Sequence, residues 1–261
     1  MIITAINGSY RRDRGYTNLL IELLFQGARE AGAKCSTVHL ADCRIERCLA
    51  CGRCQSKRNQ RPCVHEQTDD VAAIFRRMKA SDLVIYATPV YVFGMSGLLK
   101  TFLERFYAKG VVSELTVSQK GLIFHKIAAA ICSKPFVTLV CCDNLERETP
   151  RNVIDYFSTF SKFTDAPQVG LLVRNGGRLS GAGKEPGREE RVPKIYDVYE
   201  AYRQAGRELA QYGRIEKSTQ RRANRGIVPV PLFGLIKRFR FRSLKKKFVA
   251  KARQMLANAI E

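Results

Sequence analysis

Three thiols at Cys48, Cys51 and Cys54 form a C-x2-C-x2-C run, and Cys63 follows after eight intervening residues. Thiols crowded on one short loop repel one another when ionised and oxidise readily, whereas iron or zinc stabilises the deprotonated form. A repeated C-x2-C lets a single loop reach several irons of a compact cluster, while structural zinc usually takes two separated C-x2-C pairs. The spacing favours a [4Fe–4S] centre, with zinc and a metal-free loop as the other readings. Cys63 is the expected fourth ligand, and Cys43 and His65 are the nearby substitutes. Cys35, Cys132, Cys141 and Cys142 lie in apolar segments and read as small buried hydrophobes.

Two further stretches carry a different chemistry. Residues 7–18, from Asn7-Gly8-Ser9 through Arg11, Arg12 and Arg14 to Thr17-Asn18, combine glycines, hydroxyls and arginines and lead into a helical pattern. Backbone N–H groups, a positive helix end and side-chain donors together suit a phosphate. The plainer reading is a polar loop in which Thr17 or Asn18 caps the helix. Residues 88–96 are apolar and aromatic where loops are usually polar, with Pro89 fixing the backbone and Gly94 permitting a sharp turn. Such a loop suits a flat ring ligand or burial against a second subunit, and the two uses are compatible. The Gly-rich stretch 176–187 does not match a nucleotide loop, since Glu185 follows Gly183-Lys184, and it reads as a mobile surface loop.

Alternating apolar runs and amphipathic stretches must position these groups. Strands are expected at residues 2–6, 34–40, 83–87, 136–142 and 169–173, the third ended by Thr88-Pro89. Helices are expected at 17–31 (stopped by Gly32), from Asp69 or Asp70 to Met78, and at 96–107, 150–163 and 194–212 (stopped by Gly213). Strict alternation with near-continuous apolar strands implies an α/β fold, a parallel sheet covered on both faces. Five strands suit a flavodoxin-like, doubly wound domain, whose ligand sits where the loops after the first and third strands meet. Those are the two loops above. The domain is expected to span 1–213, with a Cys-rich loop at 43–67 and a basic helical extension at 214–261.

The stretches NGSYRRDRGYTNLL and TPVYVFGMSGLLKTFLERF, joined by DDVAAIFRRMKASDLVIYATPVY, resemble the flavodoxin-like NAD(P)H-dependent FMN oxidoreductases over roughly residues 1–175. More narrowly, the chain resembles the iron–sulfur flavoprotein branch. The resemblance implies that Ser9, Arg11, Thr17 and Asn18 hold the FMN phosphate. It also implies that Thr88, Pro89, Val90, Tyr91, Phe93 and Gly94 lie along the isoalloxazine, with Asp143 contributing from the loop after the fourth strand. Implied too is an FMN-dependent oxidoreductase passing electrons between FMN and the cluster. The protein orients and tunes the flavin, and no side chain need act as a nucleophile. The alternatives are an NAD(P)H-dependent FMN or quinone reductase without a cluster, and a basic binding module on a flavodoxin scaffold. The electron source or sink is a redox partner or NAD(P)H, and a homodimer or higher homo-oligomer is expected.

The charge is uneven. Formal net charge is +21, yet residues 214–261 hold 14 Lys and Arg against two acidic residues. The last stretch from Ser243 reads as a helix with Leu244, Phe248, Ala252, Met255 and Ala259 on one face and lysines around it. This suits an anionic membrane surface, an acidic partner, or packing on the domain; nucleic acid is disfavoured because no nucleic-acid fold accompanies the charge. The nine cysteines exclude a fully paired disulfide framework. No signal peptide and no apolar run of about 18 residues is present, so a cytoplasmic location is expected, with peripheral membrane attachment through the tail.

Overall fold

The structure is a computed structural model describing residues 1–55, 62–184, 192, 194–228 and, in the tail, 242, 243, 245, 246, 249, 250 and 253. From the N-terminus come β1 (Ile2–Asn7), α1 (Tyr16–Glu30) and β2 (Lys34–His39). After the cysteine loop follow α2 (Val71–Ala80), β3 (Leu83–Tyr91), β4 (Gly94–Met95) and α3 (Gly97–Glu104). A hairpin of β5 (Gly110–Val117) and β6 (Ile123–Ile127) leads to the short α4 (Ala129–Cys132) and to β7 (Phe136–Cys142). The domain continues with α5 (Arg151–Thr164), β8 (Gln168–Asn175), α6 (Ile195–Tyr212) and α7 (Lys217–Ala223).

Five parallel strands run in the order β2-β1-β3-β7-β8, so the fold is flavodoxin-like, with the order reversing between β1 and β3. Interior strand β7 is buried along its whole length, as a strand covered on both faces must be. One core layer joins α1 and α6 to the sheet through Leu20, Leu24, Val198, Tyr202 and Leu209. The opposite layer joins α2, α3 and α5 through Phe75, Phe102 and Phe157. Both apolar faces follow the 3.6-residue period expected of amphipathic helices.

Four features differ from the sequence expectations. β3 does not end at Thr88-Pro89: both residues still register with β7, and the chain turns back through β4 only after Tyr91. Pro89 lacks a donor but its fixed φ fits extended backbone, so the strand tolerates it. The β5–β6 hairpin has no counterpart among the expected elements. Residues 177–184 are not a surface loop but a 3-10 helix with Leu179, Ser180 and Ala182 buried. Its glycines admit aromatic rings: a Cβ at Gly181 would lie 2.8 Å from the Tyr16 ring, and one at Gly183 would lie 2.6 Å from that of Tyr199.

The fourth difference concerns the far edge of the sheet. Gly213 ends α6 in the left-handed region (φ 68°) as expected, yet packing continues beyond it, with Ile215, Thr219, Ala223 and Ile227 all buried. α7 seals edge strand β8 with side chains: Asn224 Oδ1 accepts from Val173 N (2.7 Å), and Asn224 Nδ2 donates to Leu171 O (2.9 Å). Gln220 Oε1 accepts from Leu171 N at 2.9 Å. An open edge invites pairing with another chain, so these amides protect it. Asn224→Ala removes two of these bonds and is expected to cost about 1.5 kcal/mol. A melting temperature lower by roughly 3–6 °C is the readout, and an unchanged value would contradict the sealing role.

The expected apolar face of the final helix (Leu244, Phe248, Ala252, Met255, Ala259) lies outside the described residues. Among the described residues no helix is long and apolar enough to cross a membrane.

Candidate functional site

The loop after β1 meets the loop after β3 at the carboxyl edge of the sheet. Gly8 N donates to Ala87 O at 2.8 Å, and a Cβ at Gly8 would lie 2.6 Å from Ser96 Oγ, so glycine is required for the two loops to approach this closely. Ser9 is buried, its N held by Asn7 Oδ1 (2.9 Å) and its Oγ accepting from Arg11 N (3.3 Å). α1 begins at Gly15 with no side-chain cap, so Thr17 and Asn18 do not cap the helix. Thr17 is buried against the Cys141 thiol, which burial above all pushes up to about 12. Asn18 reaches Asn7 and Asp13 at 3.5 Å each. An uncapped helix start close to the buried Ser9 hydroxyl suits an anion.

The three arginines of this loop have separate fates. Arg12 pairs with Asp42 (2.5 Å) and donates to Ala41 O (3.1 Å), which ties the loop to the end of β2. His39 assists by contacting Asp13 at 3.0 Å. Arg11 and Arg14 make no ion pair among the described residues; Arg11 lies 5.6 Å from the centroid of the Tyr16 ring. Among the described residues, the guanidinium groups of Arg11 and Arg14 are therefore both without an ion pair near this helix start, and that of Arg11 stands next to the Tyr16 ring.

Opposite stands an apolar wall. Tyr10 and Tyr91 rings lie 6.2 Å apart and tilted by 30°, and Tyr91, Val92 and Phe93 are all exposed. Burial raises the Tyr91 phenol pKa, and the charge of Arg11 opposes that shift. The turn joining β3 to β4 holds Val92 at φ 46° and Phe93 at φ 64°. Two-residue turns of this kind favour Asn-Gly, and a β-branched residue there is strained. Asn152 on α5 braces the turn by donating to Phe93 O at 3.2 Å. Thr88 is buried and its Oγ1 accepts from Ser96 N (3.0 Å), which sets the start of α3. Pro89, Val90 and Gly94 form the backbone of this hairpin. Asp143, expected beside the ring, accepts from Arg178 N at 2.9 Å and so anchors the 3-10 helix.

The second part of the site is the cysteine loop. Cys48, Cys51, Cys54 and Cys63 all line one cavity, with His65, Arg105 and Tyr107. Cys43 does not: its thiol faces His39 O at 3.4 Å and packs against the core. Cys54 is pushed up by burial first, and the nearby thiols of Cys63 and Cys48 add to the shift. Ala50 (φ 50°) and Gly52 (φ 67°) take left-handed turns between successive cysteines. Gln55 pins the loop to the hairpin, donating to Tyr107 O (2.6 Å) and Gly110 O (2.8 Å) and accepting from Val112 N (3.0 Å). Two buried nitrogens, His65 Nε2 and Arg105 Nε, have no hydrogen-bond partner among the described residues. Among the described residues no three His, Cys, Asp or Glu groups converge as a single-ion site. Four thiols set around a cavity fit a polynuclear centre, in which each iron takes one thiolate.

Arg105, Gln55 and Tyr10 belong to the site but were not expected from the sequence. Arg105 had a signal, since it stands three residues after Phe102 on an otherwise apolar helical face. Gln55 had none.

A family model described as NADPH-dependent FMN reductase matches residues 1–137. An iron–sulfur flavoprotein of Methanosarcina thermophila is 34% identical over 105 residues, which cover 40% of this chain and 52% of that protein. One of Methanocaldococcus jannaschii is 32% identical over 105 residues, covering 40% and 51%. The matched region thus spans about half the length of these curated relatives. An NAD(P)H:quinone oxidoreductase from Methanothermobacter marburgensis superimposes with a TM-score of 0.55 at 15% identity, over 80% of this chain and 98% of that one. An FMN-dependent NADH-azoreductase from Bacillus anthracis, solved in complex with FMN, gives 0.54 at 11% identity over 80% and 99%. At these identities the solved structures share the fold with this chain.

Proposed function

Because the chain belongs to the NADPH-dependent FMN reductase family, we propose that it is an FMN-dependent oxidoreductase carrying a [4Fe–4S] centre. The observation that carries this reading is the presence in one domain of an uncapped helix start, an exposed aromatic wall and a cavity lined by four cysteines. FMN supplies paired or single electrons and an iron–sulfur centre single ones, so the two together suit conversion between two-electron and one-electron chemistry.

The chain's own residues bind and orient. Ser9, Arg11 and the first amides of α1 hold the phosphate, with Thr17 and Asn18 fixing the loop from behind. Tyr91, Phe93 and the backbone from Thr88 to Gly94 lie against the flat ring system, and Asp143 sets the neighbouring wall through Arg178. Cys48, Cys51, Cys54 and Cys63 hold the iron. NAD(P)H or a protein redox partner meets the open face at Tyr10, Val92 and Phe93, and a second copy of the chain covers part of this apolar surface.

Anaerobically prepared protein is expected to be yellow-brown and to contain FMN, iron and sulfide. Colourless protein that releases no flavin on denaturation would sink the reading, and flavin without iron would favour a cluster-free NAD(P)H-dependent reductase. Arg11→Ala is expected to weaken FMN binding roughly tenfold, equivalent to about 1.4 kcal/mol, as suits one exposed charge-assisted contact. Flavin fluorescence titration measures it.

A second reading concerns the tail. Arg242, Lys245, Lys246 and Arg253 line one groove with Val249 and Ala250, and Lys245 Nζ lies 3.3 Å from Glu146. The excess of basic residues supports docking on an anionic surface, with the domain in a reducing compartment at its face. Co-sedimentation with anionic vesicles tests it: the full chain should bind, lose binding at high salt, and outbind a chain ending at Val228.

A further inference from the structure

Arg105 is a buried cation on the wall of the cysteine cavity. It follows α3, and its side chain is only 2% exposed. A buried guanidinium needs partners, and it has three of different kinds. It pairs with Asp69, whose side chain is fully buried, just ahead of α2. Its Nη1 donates to Glu46 O at 2.8 Å, two residues before Cys48. Its Nη2 donates to Cys63 Sγ at 3.3 Å. Nε is buried without a hydrogen-bond partner among the described residues, and the residue lines the cysteine cavity itself. One rigid fork therefore touches both arms of the loop, ahead of its triple-cysteine run and at its distant fourth thiol.

We propose that Arg105 is a positioning and tuning residue of the iron–sulfur centre. It fixes Cys63 as the fourth ligand and donates a hydrogen bond to its sulfur. The inference rests on the cluster reading above. Hydrogen bonds to ligating sulfur, and a nearby cation, stabilise the reduced and more negative state of such a centre, and so raise its potential. Asp69 keeps the guanidinium in place and partly offsets its charge, so the sulfur hydrogen bond carries much of the effect. Lysine cannot replace it, because one ammonium on a flexible stem does not span a carbonyl, a carboxylate and a thiolate in a fixed plane.

The test uses the full chain prepared without oxygen, with iron, sulfide and FMN quantified and the cluster potential read by titration monitored by electron paramagnetic resonance. Arg105→Gln alone strands the buried Asp69 and endangers folding, so Arg105→Lys and the double variant Arg105→Gln/Asp69→Asn are used in its place. Removing both buried charges together is far better tolerated than removing one. Both variants should keep FMN at wild-type stoichiometry and an unchanged flavin potential. Each should make cluster reduction at least about tenfold less favourable, a downward shift of roughly 59 mV for a one-electron couple, or lose iron outright. Full iron with an unchanged cluster potential in both would overturn the proposal and leave Arg105 a structural residue. A wild-type chain that binds FMN but no iron would instead defeat the cluster reading on which it stands.

Discussion

Replacing Cys51 by serine is expected to strip iron and sulfide from the anaerobically prepared chain while FMN stays bound. Cys51 is the exposed member of the four cysteines lining the cavity, and its removal leaves the phosphate loop and the aromatic wall untouched. A serine hydroxyl is a hard, weakly acidic ligand in place of a soft thiolate, so iron retention should fall by more than roughly tenfold. Cys63→Ser should behave alike, because Cys63 shares the cavity and the hydrogen bond from Arg105. Cys43→Ser should keep its iron, since that thiol points at a backbone carbonyl. Iron per chain, measured across these three variants with flavin as the internal standard, assigns the fourth ligand. Equal iron in Cys51→Ser and the parent would remove the cysteine loop from the function altogether.

Gly27→Ala and Gly206→Ala are expected to be the most destabilising single methyl additions in the fold. Alanine normally improves a helix by about 1 kcal/mol over glycine. Here the sign reverses. A Cβ at Gly27 would lie 1.8 Å from Arg203 O, and one at Gly206 would lie 1.9 Å from Leu24 O. Both obstacles are backbone, so α1 and α6 must move apart, at a net cost of about 3 kcal/mol. Thermal unfolding should occur roughly 6–12 °C lower. On the FMN placement proposed above, the displacement also reaches the ligand, because the N-terminus of α1 would cradle its phosphate; FMN affinity should drop although neither glycine lies in that loop. A rise in melting temperature in either variant would mean that the helices do not meet at these glycines.

The parallel sheet and its helices were legible from sequence because each strand is a short apolar run and each helix carries a stripe. Phe136 to Cys142 needed nothing more than that. The two switch-point loops were legible because loops are seldom both glycine- and arginine-rich, or so apolar as Val90 to Met95. Elements that announce themselves by contacts rather than by pattern were not legible. The glycines at 181 and 183 looked like a flexible loop, yet they exist to let Tyr16 and Tyr199 approach. The β5–β6 hairpin leaves Leu115 74% exposed, so no buried face marked it. Among the cysteines, spacing picked out the trio, but only the fold separates Cys63, which faces the cavity, from Cys43, which faces His39.

The amide clasp that α7 lays along β8 bears on how the basic tail and the α/β domain are inherited together. If the tail were a plain appendage, an ancestor could gain or shed it at Gly213 without penalty. Asn224 and Gln220 lie beyond that glycine and complete the last strand, so a chain cut there would expose a bare sheet edge. A natural protease or a gene fusion can separate the two only past Ile227, whose side chain is still in the core. Residues 213–227 therefore pack as part of the folded domain.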